Sequence, residues 1–285
     1  MVTAMRRFVF VFALAAALAA GAEARAQGRL PIFDAHVHYG QNDWAPYPTA
    51  NVLELFDAAG VARVLASSTP DDGTLMLHKA APGRVVPILR PYRAGIGSSN
   101  WFNDPNLVEY LEGRLKTGVY KGIGEFHLFD AASAGTPQVR RVIELAVERG
   151  IHLHVHSGAA PIEALFKIEP KLKILWAHAG MSEPPEVIGP MLDRHPNLWT
   201  ELSFRAGDVA PGGMFDPRWR ALFEKHPDCF MIGTDTYVTP RWGDYAGLIE
   251  AHRAYLMQLP RELAEKIAFR NAVRLFGAGD IQEIK

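Results

Sequence analysis

A short apolar run followed by a helical pattern recurs along this chain from residue 32 to residue 277. The runs are IFDAHVH (32–38), VARVLAS (61–67), RVVPILR (84–90) and KGIGEFH (121–127). They continue with IHLHVHS (151–157), KILWAH (173–178), LWTELSF (198–204) and CFMIGTD (229–235). Runs this short and this continuously apolar read as strands buried on both faces of a parallel sheet. The segments between them carry helical periodicity. TANVLELFDAAG starts at Thr49, a plausible cap, and stops at Gly60. TPQVRRVIELAVERG places Val139, Val142, Ile143, Leu145 and Ala146 on one side and stops at Gly150. EVIGPMLDRHP and DPRWRALFEKHP each end at a proline, and PRELAEKIAFRNAVRLFG carries Leu263, Ile267, Ala268 and Leu275 as a stripe.

Eight strands alternating with helices over roughly 250 residues predict an α/β fold, the (β/α)8 TIM barrel. An open doubly wound sheet is the alternative. It usually announces itself by a glycine-rich first turn, whereas the first strand here runs into HVHYG. The stretch SSTPDDGTLMLHKAAPG (67–83) makes the second strand–helix unit the least regular.

The first residues read as a segment that the fold discards. Arg6 and Arg7 precede FVFVFALAAALAA (8–20), and ARA stands before Gln27. This is the pattern of a secretory signal peptide over residues 1–26, cleaved near Ala26, with GAE after Ala20 as a competing site. The apolar run is shorter than the ~20 residues a membrane span needs. No cysteine follows it to carry a lipid anchor. The expectation is an exported protein, periplasmic or secreted, with residues 27–285 forming a single domain. Cleavage removes Arg6, Arg7, Arg25 and Glu23, so the formal charge moves from -1 to -3. That balance argues against a nucleic-acid partner and leaves a small-molecule substrate as the expected one. Cys229 is the single cysteine, so no internal disulfide forms. Whether copies of the chain associate into a homo-oligomer is open at this stage.

Of eleven histidines, His36, His38, His127, His156 and His178 fall at the C-terminal ends of predicted strands. Asp235 ends the eighth run and Glu125 lies two before His127. In a barrel, that end forms the active-site mouth. Residues two apart on a strand share a face, so Asp34, His36 and His38 point the same way. Two imidazoles aimed at one point repel if protonated, and a divalent cation between neutral rings resolves the conflict. A histidine such as His152 or His154, taken singly, is more simply a core residue.

The ordered set of motifs resembles the amidohydrolase superfamily of metal-dependent TIM-barrel hydrolases, and within it the amidohydrolase-related branch that also contains decarboxylases. DAHVH matches its first-strand His-x-His, VHSG its fifth-strand histidine, AHAG its sixth and GTD its eighth-strand aspartate. NAVRLFG (271–277) matches its closing helix. Many relatives carry a carboxylated lysine on the fourth strand; others, the TatD-type nucleases among them, use a glutamate in a segment like GIGE. Lys121 shares a face with Glu125 but sits four residues, about 13 Å, below the mouth. Glu125 is therefore the candidate bridge.

The resemblance implies a first ion on His36, His38 and Asp235, and a second on His156 and His178 with Glu125 between. With one ion, His156 joins the first set and His178 orients or polarises the substrate. Zinc is the expected ion, with manganese, iron or nickel compatible with the same donors. Asp235 would move the proton of an activated water, and with His178 it makes up the catalytic pair. Asp34 would support an imidazole or the strand from below. Arg205 could pair with a substrate carboxylate. His127 could be a further ligand or a substrate contact. Trp44, with Trp101, Tyr237 and Trp242, could form an apolar wall, and RPYRAGIGSSNWFNDPN (90–106) is long enough for a lid.

Three readings of function follow. The first is a metal-dependent hydrolase of a small ester, lactone, amide or related bond. The second is a decarboxylase on the same barrel, in which Arg205 holds a carboxylated acid and Asp235 protonates carbon. The third is an exported metal-binding protein without turnover. A nuclease gains from GIGE and loses from the acidic charge.

Overall fold

The computed structural model describes residues 29–277, and the signal-peptide expectation over 1–26 lies outside them. The strands are β1 (Ile32–Val37), β2 (Val61–Ala66), β3 (Val85–Pro87), β4 (Gly122–His127), β5 (His152–His156), β6 (Ile174–Trp176), β7 (Leu198–Glu201) and β8 (Phe230–Met231). Each falls inside one of the eight apolar runs. Most of their inward and outward side chains are buried: all six residues of β1 are, and the other strands leave no residue fully exposed. That is why the runs lack polar alternation.

The pairing is parallel and follows chain order, β1–β2–β3 in one ladder and β4 through β8 in another. Two single bridges join the ladders. Leu89 pairs with Ile123, and Asp34 pairs with Ile232, both parallel. The amide of Leu89 donates to Gly122 at 3.0 Å, and the amide of Ala35 donates to Ile232 at 2.7 Å. β8 thereby returns to β1, and the α/β fold is the TIM barrel that the alternation predicts.

Helices pack outside the strands. The helix Pro137–Arg149 shows why it forms there. The Thr136 hydroxyl accepts from the Val139 amide at 3.4 Å, Pro137 opens the first turn, and Gly150 closes the last at φ 66°. The irregular stretch after β2 does carry a helix, Asp72–Ala80. Helices Leu107–Leu115, Ala159–Ile168 and Tyr245–Leu256 complete units that the sequence pattern did not single out.

The closing segment is not one uniform helix. It runs as α over Arg261–Glu265, π over Lys266–Arg270 and α over Asn271–Phe276. Asn271 then donates to the carbonyls of Pro227 (3.0 Å) and Phe230 (2.9 Å), which ties this segment to β8. Phe276 packs with Phe33, Leu65, Ile88 and Met231 to fill one end of the barrel. Segment 90–106 is anchored: Trp101 is fully buried and its indole donates to the His127 carbonyl at 2.9 Å.

Candidate metal centre

β1 delivers His36 and His38 to the mouth. The Nδ1 of His36 donates to Glu201 Oε1 at 3.0 Å, and the Nδ1 of His38 donates to the Ser67 carbonyl. These partners assign the tautomers and leave both Nε2 atoms as lone-pair acceptors. The two Nε2 atoms are 3.0 Å apart. Asp235 Oδ1 lies 3.2 Å from His38 Nε2 and 3.6 Å from His36 Nε2. That oxygen is buried and has no hydrogen-bond partner among the described residues. With both Nε2 atoms unprotonated, three acceptor atoms would face one another, an arrangement that a divalent cation satisfies in place of the proton that the carboxylates otherwise draw to His36.

Asp235 reaches this position because β1 and β8 meet. Its amide donates to the His36 carbonyl at 2.7 Å, and its own carbonyl accepts from Arg241 Nε at 2.7 Å. Its backbone is left-handed at φ 52°, a conformation that aspartate tolerates better than most residues.

Glu125 lies between this set and a second one. Its Oε2 is 3.2 Å from His38 Nε2 and 3.6 Å from His36 Nε2. Its Oε1 is 2.8 Å from His156 Nδ1 and 3.4 Å from His178 Nε2. Gly124 makes this placement possible. At φ 139°, a Cβ there would stand 2.2 Å from the His154 carbonyl, so only glycine lets β4 lie this close to β5. His178 turns its Nε2 inward because its Nδ1 pairs with Ser203 Oγ at 2.6 Å. Among the described residues three donor groups come together: His36–His38–Asp235 and Glu125–His156–His178 adjoin at the mouth, and His36–His178–Glu201 lies beneath them.

A ring of buried groups holds these ligands. Besides His36 Nδ1, Glu201 accepts the amides of His178 (2.6 Å) and Ser203 (2.7 Å). Asp34 accepts the Thr234 hydroxyl (2.6 Å), the Thr234 amide (3.0 Å) and the Tyr245 hydroxyl (2.8 Å), joining β1 to the chain after β8. Burial pushes the Asp34 carboxyl up to about 6 against those hydrogen bonds. Burial alone would favour neutral His36. The carboxylates of Asp235, Glu125 and Glu201 outweigh it and raise its pKa well above the ordinary value. Burial opposes ionisation of Glu125 and Asp235 too, but His36 and its neighbours hold both carboxylates below the usual range. A cleft whose carboxylates stay ionised and whose imidazole attracts charge is a cation site by its electrostatics.

A family model of amidohydrolases matches residues 33–278. The chain belongs to the amidohydrolase family. Solved structures share the fold at low identity. One from Pseudomonas putida, assigned as a 2-pyrone-4,6-dicarboxylic acid hydrolase, is 17% identical with TM-score 0.63. The match covers 89% of this chain and 100% of that one. The 5-carboxyvanillate decarboxylase of Sphingomonas paucimobilis is 14% identical with TM-score 0.60, covering 87% of this chain and 99% of that one. The corresponding decarboxylase of Novosphingobium aromaticivorans, solved with bound manganese, is 13% identical with TM-score 0.58, covering 87% and 97%. No curated protein sequence matches the chain.

Within this amidohydrolase, the residues expected to touch substrate are placed differently from one another. Arg205 needs correction. It is buried, donates to the carbonyls of His178 (3.1 Å), Ala179 (3.2 Å) and Glu183 (2.8 Å), and pairs with Asp208 at 2.7 Å. Its guanidinium also lies over Trp219. It clamps the turn after β6, where His178 and Ala179 are left-handed, and both of its terminal nitrogens are spent on backbone carbonyls rather than turned to a substrate.

Trp44 is half-buried, donates to the Tyr39 carbonyl at 3.3 Å, and is not among the residues that line the cavity. Trp101 and Trp242 are fully buried packing residues. His127 stacks on His156 with centroids 4.0 Å apart and meets the Tyr92 hydroxyl at 2.8 Å through Nδ1. Burial lowers its pKa to about 3, so it is a neutral neighbour of the ligand set. Lys121 is exposed at the foot of β4.

The sequence reading missed Glu201 and Arg90. Glu201 ends β7, the strand-end position that signalled the other ligands. Arg90 follows β3, and its Nη2 meets Glu125 Oε2 at 2.9 Å. The mouth opens into a cavity of about 600 Å³ whose lining includes His38, Arg90, Arg93, Asp43, Thr69 and Tyr237.

Proposed function

We propose that this amidohydrolase is an exported, zinc-dependent hydrolase of a small-molecule ester, lactone, amide or related bond. One observation carries the reading: the unpartnered Asp235 Oδ1 faces the paired Nε2 atoms of His36 and His38. A bound divalent cation supplies Lewis-acid activation of water and of the scissile carbonyl. Asp235, at the open side of the donor set, accepts the proton released by the attacking water and returns it to the leaving group. His178 is locked by Ser203 and Glu201, so its Nε2 orients the carbonyl when a single ion occupies the His36–His38 side. Glu125 reaches both donor sets, one oxygen towards His36 and His38 and the other towards His156 and His178, and would serve as a ligand shared between them.

Metal analysis of the purified protein tests this reading, together with turnover on a panel of carboxylic esters, lactones and amides. The expected result is about one or two zinc or manganese ions per chain, with ion and turnover both lost in His36→Ala. Full activity of metal-free protein overturns it. Export is tested by fractionation, with the mature protein expected outside the cytoplasm.

A specific observation favours a decarboxylase as the second reading. The Arg90 guanidinium occupies the Glu125 oxygen that faces His36 and His38, which weakens Glu125 as a bridge and places a fixed cation beside the cavity. In that case Asp235 protonates carbon, and release of CO2 from an aromatic acid without net hydrolysis is the deciding measurement.

A further inference from the structure

Large apolar side chains left in solvent at the mouth of a polar site are the feature the fold does not account for. Phe204 is 45% exposed, Tyr237 58% and Phe129 65%. Each is linked by ring contacts to the ligand set. The Phe204 ring is 5.5 Å from that of His178 and 6.1 Å from Tyr237. Phe129 is 5.6 Å from His127, which stacks on His156. Met214 and Met257 are more exposed still and have no such contact.

Phe204 is also held in place. Its backbone is left-handed at φ 64°, where a bulky L-residue is rare and strain gathers at functional positions. The Arg241 guanidinium lies 4.2 Å from the ring centroid, and Arg241 is itself tied to the carbonyls of Thr234 (2.5 Å) and Asp235 (2.7 Å). The same arginine thus fixes the general base and the aromatic wall. Tyr237 lines the cavity together with His38, and Phe204 stands behind it as the ring between Tyr237 and His178.

We propose that Phe204 and Tyr237 form the specificity wall of the site and that the substrate carries a flat apolar group, an aryl ring or its equivalent, next to the bond that reacts. A cavity of about 600 Å³ is the size of a small-molecule site, and an exposed aromatic face beside it gains most by stacking on a planar ligand. The inference rests on the metal-centred reading above and extends it from a reaction type to a substrate class.

The test uses two ion-binding probes with the same chelating head, benzohydroxamic acid and acetohydroxamic acid, titrated calorimetrically into the zinc-loaded protein. The wall predicts a preference of about tenfold or more for the benzo compound, the size expected for burying a phenyl ring against an aromatic face. In Phe204→Ala and in Tyr237→Ala that preference falls to about twofold while acetohydroxamate affinity is unchanged; Phe204→Leu, which keeps bulk without a flat face, lies between. Equal binding of the two probes to the unaltered protein overturns the wall and leaves the metal centre standing. So does a preference that survives in both alanine variants. If neither probe binds zinc-loaded protein, the metal-centred reading falls and this inference with it.

Discussion

Glu201 Oε1 accepts from His36 Nδ1 at 3.0 Å and from the His178 backbone amide at 2.6 Å. One buried carboxylate on β7 therefore sets the tautomer of a candidate ligand on β1 and the position of a second candidate that follows β6. Partners of this kind typically change metal affinity by about 10–100-fold when removed. Glu201→Gln is expected to keep the fold and lower zinc affinity by that factor, read by competition with a chromophoric chelator. Unchanged affinity would show that Glu201 only packs.

Asp235 offers the donor set its unpartnered oxygen. Asp235→Asn retains the shape and removes the charge and the proton acceptor. Turnover should fall by about 10²–10⁴-fold, the usual range for losing a positioned acid–base group. Metal content measured on the same sample separates loss of the ion from loss of the proton step.

Gly73 lies in the first turn of the helix Asp72–Ala80, against the chain that follows His38. A Cβ there would stand 1.9 Å from the Tyr39 carbonyl. Gly73→Ala should cost about 1–3 kcal/mol of unfolding free energy, as overpacking against rigid backbone does. Because Tyr39 adjoins His38, zinc affinity should fall in parallel. A variant with wild-type melting temperature and affinity would contradict this packing.

His252 is fully buried, with Nε2 at the Gly233 carbonyl (2.9 Å) and Nδ1 at the Tyr255 hydroxyl (2.9 Å). Burial outweighs these contacts and lowers its pKa to about 4. Above pH 6.5 the ring is neutral in both folded and unfolded chains, so its full contribution is present. As pH falls from 6.5 towards 4, the unfolded chain takes up a proton that the folded one refuses. Between pH 7.5 and pH 4.5 the protein should lose about 2–3 kcal/mol that His252→Gln does not lose, measured by urea unfolding. Parallel losses in both proteins would remove His252 from the account.

Much of this was legible in the chain. All eight strands lie in the apolar runs because strands buried on both faces leave an unbroken hydrophobic trace. The clustering of the candidate donors was legible because parallel strands all end at one rim. The helix Tyr245–Leu256 was not, since it buries His252 and Arg253 where a core face would be apolar. Arg205 misled because its partners are backbone carbonyls, which carry no residue identity. Trp101 and Trp242 looked like mouth residues by loop position, yet burial favours the largest apolar side chains. The wall fell to Phe204 instead, through a left-handed backbone that composition does not announce.

The seam at Asp34 and Ile232 has a temporal consequence. Thr234 and Asp34, joined across it, are 200 residues apart in the chain. During synthesis the HVH motif emerges early, and its aspartate partner arrives only when nearly the whole polypeptide exists. On the proposed reading, a fragment lacking the eighth strand would offer an ion only the two histidines and not Asp235. Retention of an ion at His36, His38 and Asp235 would then mark completed assembly: it would report that the last strand has docked on the first.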